Sequence, residues 1–170
     1  MTFEANASRI TEQLWLGNAS AATAPLEELK AQGITHVLTP AMIAGFTHRL
    51  YAEDLVYLQY HIADLPGWPI IPLFPEASRF ISDAIASGGC AYLMEANGWS
   101  FADAKYHVRT HRPQISSKFE EQLRLWEGMR CSLDGDTPAH ATARRQGVLS
   151  RHVKNRAAPV VKDKNDSGEC

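Results

Sequence analysis

Asp64 follows an apolar run and precedes Leu65-Pro66-Gly67, so it stands where a strand gives way to a turn. A carboxyl group there is an exposed turn former, or a proton donor if a nucleophile stands opposite it. Cys90 sits in Gly88-Gly89-Cys90-Ala91. Its thiol is a nucleophile only as the thiolate, and the nearest following arginine is Arg109, within a predicted helix. A small, half-buried core thiol is the plainer reading. His107 and His111 lie four residues apart, which puts them on one helix face, as in many metal pairs. No Cys or acidic residue completes a recognised metal motif with them, so a solvated helix face is expected. Arg144, Arg145, Arg151, Lys154 and Arg156 form a basic stretch with no acid between them. Such a stretch binds anions, serves as a nuclear import signal or is simply a solvated tail, and its low density favours the tail. Trp68, between Gly67 and Pro69, either caps the core or meets a partner.

These residues need elements to position them. Leu14-Trp15-Leu16 is a short apolar run stopped by Gly17-Asn18, a strand end. Pro25 to Gln32 predicts a helix with Pro in its first turn and Gly33 as its stop. Ile34 to Leu38 is apolar and β-branched, and Leu55 to Ile62 predicts a second strand. From Leu73 to Ser87, Phe74, Ala77, Phe80, Ile81, Ala84 and Ile85 recur at helical spacing before Gly88-Gly89. Ser100-Phe101-Ala102-Asp103 and Ser117-Lys118-Phe119-Glu120 read as capping boxes of two later helices. The first is stopped by Pro113, and the second carries Phe119, Leu123 and Trp126 on one stripe. Strands alternating with helices predict an α/β layer arrangement.

Composition sets the outer limits. The chain has 170 residues, 45% hydrophobic and 21% charged, with a formal net charge of −2. That is enough for one domain with a core and gives no general bias toward nucleic acid or anionic membrane. No apolar run is long enough for a bilayer-spanning helix, and the N-terminus lacks a basic, apolar leader pattern. Three scattered cysteines make neither a disulfide framework nor a metal knuckle, so a reducing, cytoplasmic setting is expected. All 15 aromatic residues lie between Phe3 and Trp126. Residues 131–170 have none, and a segment so poor in large apolar groups is expected to be a disordered tail behind a folded part at 1–130.

The order of several blocks resembles a dual-specificity protein phosphatase domain of the protein tyrosine phosphatase superfamily. The blocks are Ile10 to Gly17, Leu29 to Leu38, His61-Ile62-Ala63-Asp64, Ala91 to Met94, Trp99 to Ala104, Val108 to Ile115 and Glu121 to Glu127. They cover nearly all of residues 8–130, and the flavour is that of the catalytically inactive, phosphoprotein-interacting branch. The resemblance implies an α/β fold, a sheet flanked by helices. It places Asp64 at the general-acid position.

One block is missing. The resemblance implies a strand, a His-Cys-x5-Arg loop and a helix start between Gly89 and Ala91, where this chain has only Cys90. Gly89 precedes that cysteine and Ala96 stands at the arginine position. Such a loop supplies the thiolate nucleophile, backbone amides for the phosphate oxygens and an arginine clamp. The expected fold is therefore a phosphatase-like sheet with its central strand and phosphate loop deleted. Each buried backbone group left unpaired would cost roughly 1–3 kcal/mol. Cys90 to Met94 is itself an apolar run that could continue as helix or flip into a replacement strand, with helix favoured. The resemblance then implies an inactive, pseudophosphatase-like module for a phosphoprotein or other protein partner. The alternative is a truncated splice form or mis-joined reading of an active phosphatase. No cofactor, metal, nucleic acid or membrane is expected. The location is cytoplasmic, with nuclear entry open through the basic stretch.

Overall fold

The computed structural model describes residues 3–40, 50–60, 62–63, 65, 67–84, 94, 98–114 and 118–149. The fold is α/β, as expected. Its first elements are a short antiparallel ribbon, β1 (Ala7–Arg9) with β2 (Trp15–Gly17), and two small helices, α1 (Ala19–Ala22) and α2 (Leu26–Ala31). Asn18 caps α1, its side-chain oxygen accepting from the Ala21 amide at 3.2 Å. The α2 helix starts one residue after Pro25 and is capped by Gln32, and the chain leaves it through Gly33, whose φ of 73° only glycine adopts cheaply. β1 has no apolar alternation, so nothing in its sequence announces it.

Strands β3 (His36–Pro40) and β4 (Val56–Tyr60) pair in parallel, with Leu38 opposite Leu58. Pro40 closes β3, where its missing N–H interrupts least. The alternation of β4 divides the protein. Leu58 and Tyr60 enter one core with Ile10, Ile71, Phe101, Trp126 and Met129. Leu55 and Tyr57 enter a second with Phe3, Ala21 and Leu29. β4 is thus covered on both faces, as a parallel strand must be. Burial pushes the Tyr57 phenol above its usual pKa. β3 is only half-buried. Its His36 stands edge-on to Phe80 at 5.4 Å, and burial pulls that imidazole below its usual pKa.

Among the described residues the strands form two separate two-stranded sheets, and none bridges them. The positions around Gly89 where the central strand was expected to be missing lie outside the described residues. So does the Cys90 to Leu93 run. Met94 at its end is helical and 3% exposed.

A 3-10 turn (Ile71–Leu73) leads into α3 (Phe74–Ala84), followed by α4 (Phe101–His111) and α5 (Glu120–Gly128). On α3 only Phe74 and Ser78 are fully buried, so the predicted stripe at Phe80 and Ile81 is only partly covered. The Ser100 capping box is present: Ser100 Oγ accepts from the Asp103 amide at 3.1 Å and donates to its carboxylate at 2.6 Å. The second box is not the device that starts α5. Ser117 lies outside the described residues, Phe119 takes the N-cap position and no side chain caps it. Glu120 instead binds Lys105 and Arg124, which together hold its carboxyl below the usual range.

Residues 131–149 correct the expectation of a disordered tail. Helix α6 (Pro138–Arg145) packs along α5, burying His140, Ala143 and, just beyond, Val148. Thr137 caps it by accepting from the His140 amide, with Pro138 at the first helical position. No aromatic is needed on α6 because Trp126 of α5 and Met129 just after it supply the bulk. Close approach does the rest. A methyl group on Gly128 would meet the Ala139 methyl at 2.8 Å, and one on Gly135 would meet the His140 ring at 2.6 Å. Arg144 and Arg145 of the basic stretch sit in the last turn of α6, where the helix dipole favours cations. Arg144 donates to the Gly135 carbonyl. Its remaining members, Arg151 to Arg156, lie outside the described residues, as does all of 150–170.

Candidate functional site

Asp64 and Cys90 both lie outside the described residues, so the site is built from what surrounds them. Asp64 falls between buried Ala63 and Leu65, which is 60% exposed. The chain then turns back, the Leu65 amide bonding to the Ala63 carbonyl and the Trp68 amide to the Leu65 carbonyl.

A residue the sequence did not single out holds this segment. Gln122 of α5 is 3% exposed. Its Oε1 accepts from the Ile70 amide at 2.9 Å, and its Nε2 donates to the Trp68 carbonyl at 2.6 Å. One amide side chain thus satisfies two backbone groups of the segment after Asp64. The only signal for it in the sequence is a polar residue between apolar positions of an amphipathic helix. Trp68 resolves as a cap on the main core, its indole N–H buried without a partner.

Gln122→Leu keeps the bulk but strands both backbone groups. The expected loss is about 2–4 kcal/mol, with faster amide exchange at Trp68 and Ile70. Gln122→Glu keeps the acceptor for the Ile70 amide but, when ionised, sets a buried charge against the Trp68 carbonyl, so it should cost at least as much as the Leu variant at neutral pH and less in acid, where the protonated carboxyl donates again. Exchange rates unchanged in the Leu variant would show that the clamp does not hold the segment.

The same helix positions the start of α4. Glu127 accepts from the Phe101 amide at 2.8 Å, serving a donor that the helix leaves free. Beside it is an open cleft of about 420 Å³ lined by Met94, Gly98, Trp99, Ser100, Glu127, Arg130 and Cys131. Arg130 and Cys131 have left-handed backbones, φ 57° and 52°. The cleft therefore has one thiol, one guanidinium and one carboxylate already engaged with backbone. Among the described residues that set can bind a polar group, but it does not pair a nucleophile with a free proton donor.

The histidine pair is more ordered than a solvated face. His107 is half-buried, bonded through Nε2 to the Ile10 carbonyl at 3.0 Å and edge-on to Trp99 at 5.3 Å. His111 is exposed. Among the described residues no three His, Cys, Asp or Glu side chains gather as a metal site would require, and no helix is long and apolar enough to cross a membrane.

No family model matches the chain. Dual specificity protein phosphatase 1B of Arabidopsis thaliana is 31% identical over 139 residues, covering 71% of this chain and 81% of that protein. Protein phosphatase Slingshot homolog 3 of Mus musculus is 28% identical over 194 residues, covering 99% of this chain. The chain spans only 29% of that relative's length. Both alignments run longer than the stretch of this chain they cover, so both relatives carry residues opposite gaps here. Among solved structures, the human tyrosine phosphatase-like serine/threonine/tyrosine-interacting protein superposes with a TM-score of 0.65 at 28% identity, over 74% of this chain and 98% of that one.

Proposed function

Because the chain belongs to the dual-specificity protein phosphatase family, we propose that it is a phosphatase-like domain that binds a protein partner without hydrolysing phosphate. The carrying observation is the junction Gly89-Cys90-Ala91, with no His before the cysteine and Ala96 in place of the arginine. Without an arginine and a run of loop amides, neither a phosphate nor the charge of its transition state is held. Asp64 is then the former general acid with no nucleophile to serve. Cys90 is a residual thiol. The likeness to a phosphatase-like interacting protein supports a partner of phosphoprotein or other protein type. A cytoplasmic setting fits three scattered cysteines, too few for a disulfide framework.

The test is hydrolysis of a generic aryl phosphate by purified protein. The expected rate equals the buffer blank, in the parent and in Cys90→Ser alike. Turnover that disappears in Cys90→Ser would overturn the reading. The alternative, a shortened form of an active phosphatase, is favoured by one observation: the alignment to the mouse relative spans 194 positions for a 170-residue chain. Sequencing the transcript across the Gly89–Ala91 junction separates the two, since only the alternative requires a longer message.

A further inference from the structure

We propose that His107 and His111 on α4 form a two-histidine site for a borderline-soft divalent transition metal such as zinc or nickel, completed by water. The spacing puts both rings on one face, and their centroids are 4.7 Å apart with a tilt of 46°. Hydrogen bonding fixes what each ring offers. His107 Nε2 faces the Ile10 carbonyl at 3.0 Å, and His111 Nδ1 faces the His107 carbonyl at 2.9 Å. A carbonyl only accepts, so those two nitrogens carry the protons. In the neutral rings the lone pairs are then on His107 Nδ1 and His111 Nε2. Metal-binding histidines characteristically give their other ring N–H to a carbonyl or carboxylate, which fixes tautomer and orientation. Both rings have this arrangement before any ion arrives.

The surroundings differ in a useful way. Trp99 braces the half-buried His107 ring, while His111 is exposed, so water can fill the remaining positions. Asp103, one turn earlier on the same face, accepts from Ser100 Oγ and is not counted as a ligand. Imidazole nitrogens select zinc, nickel and copper over magnesium and calcium. The Ile10 carbonyl belongs to the connection between β1 and β2. An ion held by His107 would therefore also brace the ribbon against α4.

The experiment titrates the full chain with zinc chloride and, separately, nickel chloride. The readouts are the histidine ring resonances and the melting temperature. The expected result is a selective, chelator-reversible response of the His107 and His111 rings, with a rise in melting temperature. Magnesium should do nothing. His111→Ala, a change at an exposed position, should weaken binding at these rings by about tenfold or more. His107→Gln should abolish it. Equal binding by the parent and His111→Ala, or a response confined to other histidines or to the cysteines, would overturn the proposal.

Discussion

Replacing Trp126 with alanine should cost about 3–5 kcal/mol, the range for emptying a large aromatic site in a packed core. Trp126 is fully buried, and its ring meets Phe74 edge-on at 5.5 Å. It lies where α3, α5 and α6 share one core, so no single neighbour can move in to fill the space. A domain of ordinary stability has only about 5–15 kcal/mol in total. The alanine variant should therefore be largely unfolded in mild denaturant. Trp126→Phe should cost less, for two reasons. It keeps most of the apolar contact, and it removes an indole N–H that is buried without a partner. Denaturant titration followed by circular dichroism gives both values. A loss below about 1 kcal/mol in the alanine variant would show that the core does not depend on this side chain.

A chain ending at Arg130 should lose its cooperative transition and bind dyes that report exposed apolar surface. Residues 131–149 cover the outer side of α5: His140, Ala143 and Val148 are buried there, and Met129 is fully buried. Met129, left in the shortened chain, loses that cover, and exposing a side chain of its size costs about 1.5–3 kcal/mol. Hydrogen bonds at the α5–α6 junction go as well. His140 bridges Thr137 Oγ1 at 2.8 Å and the Ser132 carbonyl at 3.2 Å. Thr137 in turn donates to the Gly128 carbonyl at the end of α5. A chain ending at Leu149 keeps every one of these contacts and is the control. If the 130-residue chain unfolds as cooperatively as the control, at the same midpoint, α6 is an ornament and not part of the core.

The elements legible in the sequence were those that signal themselves locally. The apolar run of β4, the Ser100 cap of α4, the glycine just past α2 and the Trp126 stripe of α5 all appear where residue types predict them. Each follows from short-range sterics and hydrogen bonding, which any seven or eight residues contain in full. The family resemblance was likewise carried by ordered local blocks.

Other features depended on partners far along the chain. β1 is a strand only because β2 lies beside it. α6 lacks aromatics and reads as tail until Trp126 and Met129 are placed beneath it, since a small-residue helix is stabilised by another helix's bulk. Gln122 looks like a surface residue of an amphipathic helix. Its role comes from two backbone groups more than fifty residues away, which no local pattern contains. His107 is similar: its spacing to His111 is written in the sequence, but its bond to the Ile10 carbonyl spans 97 residues. Sequence alone thus determined the elements with local signals, β4, α2, α4 and α5, and that no Cys-x5-Arg run occurs in the chain. Tertiary structure decided which polar side chains act as clamps and that residues 131–149 belong to the folded part, because both depend on what happens to be buried against what.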